Sequence, residues 1–107
     1  MQFGIETRRV FTREDAYEWT ALLLSTKLTA SSKVVGVALR SRLNFKTGLL
    51  NPSINRLADD TCQSIRVVDR GIRALHEAGL IECSGRGIVS NRYRLTFPTA
   101  TTSMARL

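Results

Sequence analysis

The chain has one histidine, two cysteines and fewer acids than bases, and each shortage excludes something. Cys62, Cys83 and the lone His76 are too few to build a metal centre. Two thiols do not make a disulfide scaffold either, so both are expected to stay reduced in a cytoplasmic protein. Long apolar runs are missing: no stretch approaches about 18 uninterrupted apolar residues, and MQFGIETRRV at the start lacks the apolar centre of a signal peptide. Membrane spanning and export are therefore not expected. There is no acid pair in a matched context, no nucleophile motif and no glycine-rich phosphate loop before a helix. The chain does not read as an enzyme, and no cofactor is expected.

What is present is positive charge. The 16 Lys and Arg against 9 Asp and Glu leave a net charge of +7. Residues 1–28 are neutral, whereas residues 29–98 hold eleven bases against five acids. Such a surface meets nucleic acid, an anionic membrane or an acidic protein. Thirteen of the sixteen bases are Arg, whose planar fork suits phosphate and guanine edges. A membrane surface is disfavoured, because the basic helix backs onto a narrow apolar stripe with no Trp or Phe to insert.

That helix is residues 64–79, SIRVVDRGIRALHEAG. Ser64 stands at an N-cap position and Gly79 at a left-handed C-terminal cap. Val68, Gly71, Ile72 and Leu75 recur at helical spacing and predict a buried stripe. Arg66, Arg70 and Arg73, at i, i+4 and i+7, predict a line of guanidinium groups on the opposite side. A plain solvated basic face is the alternative. Downstream, residues 80–84, a Gly-Arg-Gly turn at 85–87 and residues 91–96 predict a β-hairpin, with Tyr93 and Leu95 alternating with Arg92 and Arg94.

At 107 residues the chain suits one core. Thr12 and Asp15 have the form of a capping box, predicting a helix over about 13–27. It carries two apolar stripes, Ala16, Trp19 and Leu23 on one, Tyr17, Ala21, Leu24 and Leu28 on the other. Either both pack inside one domain, or the second pairs with another copy, making residues 1–30 an arm for homodimerisation. Ser31 or Ser32 would cap a helix reaching about 44. Lys46-Thr47-Gly48 breaks it, and Leu49-Leu50 forms a short extended piece before Asn51-Pro52. Ser53 caps a short helix with Ile54, Leu57 and Ala58 inward. Residues 59–63 make the turn into the arginine-lined helix, completing a helix-turn-helix unit whose members cross steeply. Residues 98–107 read as a flexible tail.

The order and wording of these elements resemble the winged helix-turn-helix family of bacterial and phage replication initiators and small transcriptional regulators. The resemblance runs over roughly residues 31–96. It rests on Gly48, Asn51-Pro52-Ser53-Ile54, Leu57-Ala58, Ser64 with Arg66 and Val68, Leu75 with Ala78-Gly79-Leu80-Ile81, and Gly85-Arg86-Gly87 with Asn91, Tyr93 and Leu95. It implies a mainly α fold with a β-hairpin wing over residues 31–97, and a third helix lying in the DNA major groove. Ser64, Ile65, Arg66, Asp69 and Arg70 would then lie at or near base edges. Arg73, Arg56 and the Ser53 end of its helix would meet phosphate, with Arg86 on the wing tip. Arg66 and Arg70 are the best candidates for guanine. Asp69 would accept from cytosine or, as favoured here, hold an Arg in its rotamer.

The chain departs from the family in the turn, where Gly and an apolar residue are usual and Cys62 and Gln63 stand. A left-handed turn would cost about 1 kcal/mol more without that Gly, unless the turn takes another geometry. Gln63 is then either a reader of adenine or a solvated turn residue. The expected function is sequence-specific binding of double-stranded DNA, as a dimer on an inverted repeat, to regulate transcription. The alternatives are an origin-binding module of a plasmid or phage replication protein, and a protein-interaction winged helix that does not bind DNA.

Overall fold

Four hydroxyl side chains start the four helices of the computed structural model, which describes residues 8–9, 12–84 and 92–98. Thr12, Thr29, Ser53 and Ser64 each accept a hydrogen bond from the backbone N–H three residues on, satisfying a donor that the first helical turn leaves open. At Thr12 the expected capping box closes from both sides: Thr12 Oγ1 accepts from the Asp15 N–H at 3.0 Å, and Asp15 Oδ2 accepts from the Thr12 N–H at 3.2 Å. The helices are α1 (Arg13–Ser25), α2 (Ala30–Ser41), α3 (Ile54–Thr61) and α4 (Ile65–Glu77). Strands β1 (Arg8–Arg9), β2 (Ile81–Ser84) and β3 (Arg92–Phe97) form an antiparallel sheet in the order β1-β3-β2.

The fold is mainly helical with a small antiparallel hairpin after the helices, an arrangement compatible with a helical domain that carries a β-hairpin wing. Ile81 pairs with Leu95 and Cys83 with Tyr93. Tyr93 and Leu95 face the core while Arg92 and Arg94 face solvent, as the alternation requires. The Gly-Arg-Gly turn with Arg86 and the tail from residue 99 onward lie outside the described residues.

Several boundaries differ from the sequence reading. The N-cap of α2 is Thr29 rather than Ser31 or Ser32, because Ser32 is buried and its hydroxyl accepts from Thr29 Oγ1 at 2.9 Å. Residues 49–50 form no strand; Leu50 is buried and its carbonyl takes one hydrogen bond, 2.8 Å, from the Tyr93 N–H. α3 runs on to Thr61, so the turn shortens to Cys62 and Gln63. A strand at Arg8–Arg9, pairing with Phe97 and Thr96, has no signature in the sequence.

One core unites every helix. Ala16, Trp19 and Leu23 of α1, Val35 and Leu39 of α2, Leu57 of α3, Val68, Ile72 and Leu75 of α4 and Leu95 of β3 belong to a single buried cluster. α4 lies tight on α2 at Gly71, where an added Cβ would stand 2.9 Å from Val35 Cγ2 and 3.4 Å from the Ser32 Cα. That contact sets the height of α4 above the core.

Candidate nucleic-acid interface

α4 is held at both ends by local hydrogen bonds. Ser64 Oγ accepts from the Val67 N–H at 3.2 Å, leaving its own O–H free in direction to donate. At the other end Gly79, at φ +80°, lets its N–H reach the His76 carbonyl and the Leu80 N–H reach the Leu75 carbonyl, both at 3.0 Å. This is a Schellman termination. Between the caps, Val68, Gly71, Ile72 and Leu75 are buried, and Arg66, Arg70 and Arg73 are exposed along one line. Ile65 joins them at the start of the helix, about half exposed. Asp69 sits within the line, with Oδ2 3.2 Å from Arg73 Nη2.

The turn that aims α4 repeats the same termination on the end of α3. The Gln63 N–H bonds the Ala58 carbonyl at 3.1 Å and the Cys62 N–H the Asp59 carbonyl at 3.3 Å. Cys62 occupies the left-handed position at φ 56°, ψ 40°. The turn therefore keeps the left-handed geometry without glycine, and bears the strain that a Cβ brings there. Gln63 is half-buried, and its Oε1 is buried with no hydrogen-bond partner among the described residues. Bidentate pairing with adenine uses that oxygen, so Gln63 would first have to turn its amide outward.

Between the end of α2 and the start of α3, Arg42, Asn51, Pro52, Ser53 and Arg56 line a polar cleft. Ser53 Oγ caps α3 through the Arg56 N–H at 3.1 Å. Arg42 is set in place by a two-point contact with Asp60, Nε to Oδ2 at 2.8 Å and Nη2 to Oδ1 at 3.0 Å. The Arg42 hydrogen bonds hold the Asp60 carboxyl below the ordinary aspartate range, and Asp60 in turn raises the guanidinium. The cleft thus sets Arg42, already paired with Asp60, and Arg56 beside the N-terminal end of α3, where helix dipole and base charge are both positive.

Of the residues singled out from sequence, Arg66, Arg70 and Arg73 come together with Ser64, Ile65 and Asp69 on α4. Ser53 and Arg56 gather in the cleft, while Gln63 turns inward. Arg42 and Asn51 were missed. Arg42 closes α2, and its link to Asp60, eighteen positions away, leaves no trace in any local period. No helix among the described residues is long and apolar enough to cross a membrane. No protein-family model matches the chain, and no curated protein matches its sequence.

Proposed function

We propose that the chain binds double-stranded DNA sequence-specifically through α4 and regulates transcription, as a member of the winged helix-turn-helix family. The observation that carries this reading is the line of Arg66, Arg70 and Arg73 on the exposed side of a helix whose other side is core. Arg66 and Arg70 take guanine edges bidentately. Asp69, engaged by Arg73, orients that side chain rather than reading cytosine. The Arg42 and Arg56 cleft receives a backbone phosphate, which positions the protein without adding sequence information. In this reading the protein is a non-enzymatic, cytoplasmic binder that acts as a homodimer on an inverted repeat. Origin binding in a plasmid or phage replication protein would use the same surface on a different DNA site.

Fluorescence anisotropy with random duplex DNA and with the gene's own upstream DNA, across a salt series, tests the reading. Neutralising Z phosphates gives a log-log slope near −0.9Z, so one or two copies should give roughly −4 to −7. A preference for the upstream DNA supports a self-regulating factor. Absence of binding at about 50 mM salt, or binding untouched by joint replacement of Arg66, Arg70 and Arg73 with Ala, would overturn the reading in favour of a protein-interaction module.

A further inference from the structure

The second apolar stripe of α1 is left uncovered by the fold. Tyr17 is 76% exposed and Leu24 54% exposed, with Ala21 exposed between them. Only Leu28, beyond the end of the helix, tucks partly against the core. Tyr17, Ala21 and Leu24, together with Glu14, Glu18 and Thr20, line a shallow, largely apolar depression along the outer face of α1. An isolated exposed apolar residue is ordinary on a protein surface, but a helical stripe of three is an interaction surface in form.

We infer that this stripe pairs with α1 of a second copy, antiparallel, about a two-fold axis at Ala21. The shape is self-complementary in that arrangement. Ala21 lets the two helices approach at the centre, and Tyr17, four residues before it, falls beside Leu24, three residues after it in the other copy. Charge selects the same direction. The first half of α1 carries Glu14 and Glu18, whereas Lys27 follows its end and Lys33 Nζ donates to the Leu24 carbonyl at 2.6 Å. Antiparallel pairing turns Glu14 of each copy toward the Lys27 and Lys33 end of the other, and opposes the two helix dipoles favourably. Parallel pairing would instead align Glu14 with Glu14 and Glu18 with Glu18. One helix pair buries less than the roughly 1,200 Å² of a standard stable interface, so the dimer is weak and concentration-dependent.

The inference specifies the homodimer of the DNA-binding reading, but it is tested without DNA, so either can fail while the other stands. Sedimentation equilibrium of the full chain should show the weight-average mass rising from 11.9 kDa toward twice that value as concentration climbs from about 1 to about 500 µM. Leu24→Glu, at an exposed position, should hold the mass at the monomer value with an unchanged circular dichroism melt. Glu14→Lys should weaken association at least severalfold, and adding Lys27→Glu should restore it. Direction is read by cross-linking in a Cys62→Gly, Cys83→Ser background: mixed Tyr17→Cys and Leu24→Cys chains should form mainly the 17-to-24 disulfide. A monomer throughout the range, association indifferent to Leu24→Glu, or a predominance of 17-to-17 and 24-to-24 disulfides would overturn the inference. In the first two cases the stripe serves a different partner or none.

Discussion

The indole N–H of Trp19 donates to the carbonyl of Thr96 at 3.0 Å, across 77 positions of sequence, and shares its proton with the Leu80 carbonyl at the same distance. Trp19 is wholly buried. One side chain of α1 thus ties the central strand of the sheet to Leu80, three residues past the end of α4. The N-terminal helix is part of the frame that holds the arginine-lined helix, rather than an appendage to it.

Trp19→Phe keeps the ring in the core but leaves the two buried carbonyls without the indole donor. The expected loss is about 1–3 kcal/mol of stability, the usual cost of an unmade buried hydrogen bond. Urea denaturation should show the midpoint falling with little change in slope. The Leu80 carbonyl keeps the Thr96 N–H at 2.9 Å, so a loss within error would mean that water or backbone movement satisfies the Thr96 carbonyl.

Cys62→Gly removes the only non-glycine residue at positive φ among the described residues. Relief of the Cβ contact gains about 1–2 kcal/mol, and glycine's greater freedom in the unfolded chain offsets part of it. A net gain of up to about 1 kcal/mol is expected in the same denaturation assay. DNA affinity should stay the same, because the turn geometry is retained. Destabilisation would indicate that the Cys62 side chain has a packing role.

The contact between Asp60 and Arg42 makes stability depend on pH in a defined window. The folded-state carboxyl titrates below an ordinary aspartate, so its contribution is fully present above the unfolded value of about 3.9 and is lost as pH falls through the lower folded value. Asp60→Asn should flatten this part of the acid limb while leaving the rest of the profile alone. Thermal melts of both proteins between about pH 5 and 2.5 make the comparison. Curves that stay parallel below about pH 4 would show that the pair contributes nothing in solution.

Arg70→Ala should relax base preference at one or two positions of the bound site and cost about 1–3 kcal/mol against the best sequence. Arg56→Ala, by contrast, should weaken binding to all sequences alike and lower the salt slope by about one. Competition with a randomised duplex library, followed by sequencing, separates the two effects. Unchanged preference in Arg70→Ala would mean that α4 meets the DNA along a different line.

The arginine-lined helix could be read from the chain because everything that defines it is local. Ser64 and Gly79 mark its ends, and spacing alone separates Val68, Gly71, Ile72 and Leu75 from the three arginines. The partners of the cleft were less visible. Arg56 stood near a recognisable cap, but Arg42 acquires its place only from Asp60, and Asn51 only from the path of the chain into α3. The two-residue strand at Arg8–Arg9 was hidden for a similar reason. It is too short and too polar to carry a period, and exists by virtue of its pairing with β3. Leu49-Leu50 shows the converse: apolar and set before Asn51-Pro52, it has the pattern of an extended piece, yet Leu50 contributes one carbonyl to Tyr93 instead of a ladder.

Local chemistry was enough to decide where α3 and α4 begin and which side of α4 is buried, since caps and helical periods act within a few residues. It also showed that α1 has two apolar stripes, but not which one the fold would cover. Long-range packing decided that. Leu23 meets α2 at Gly36, where an added Cβ would lie 2.8 Å from Leu23 Cδ2, and the Trp19 indole finds its acceptors on Leu80 and Thr96. A period shows which residues share a face. Which face is buried depends on the shape and hydrogen-bonding capacity of segments far along the chain, and these meet only in the folded molecule.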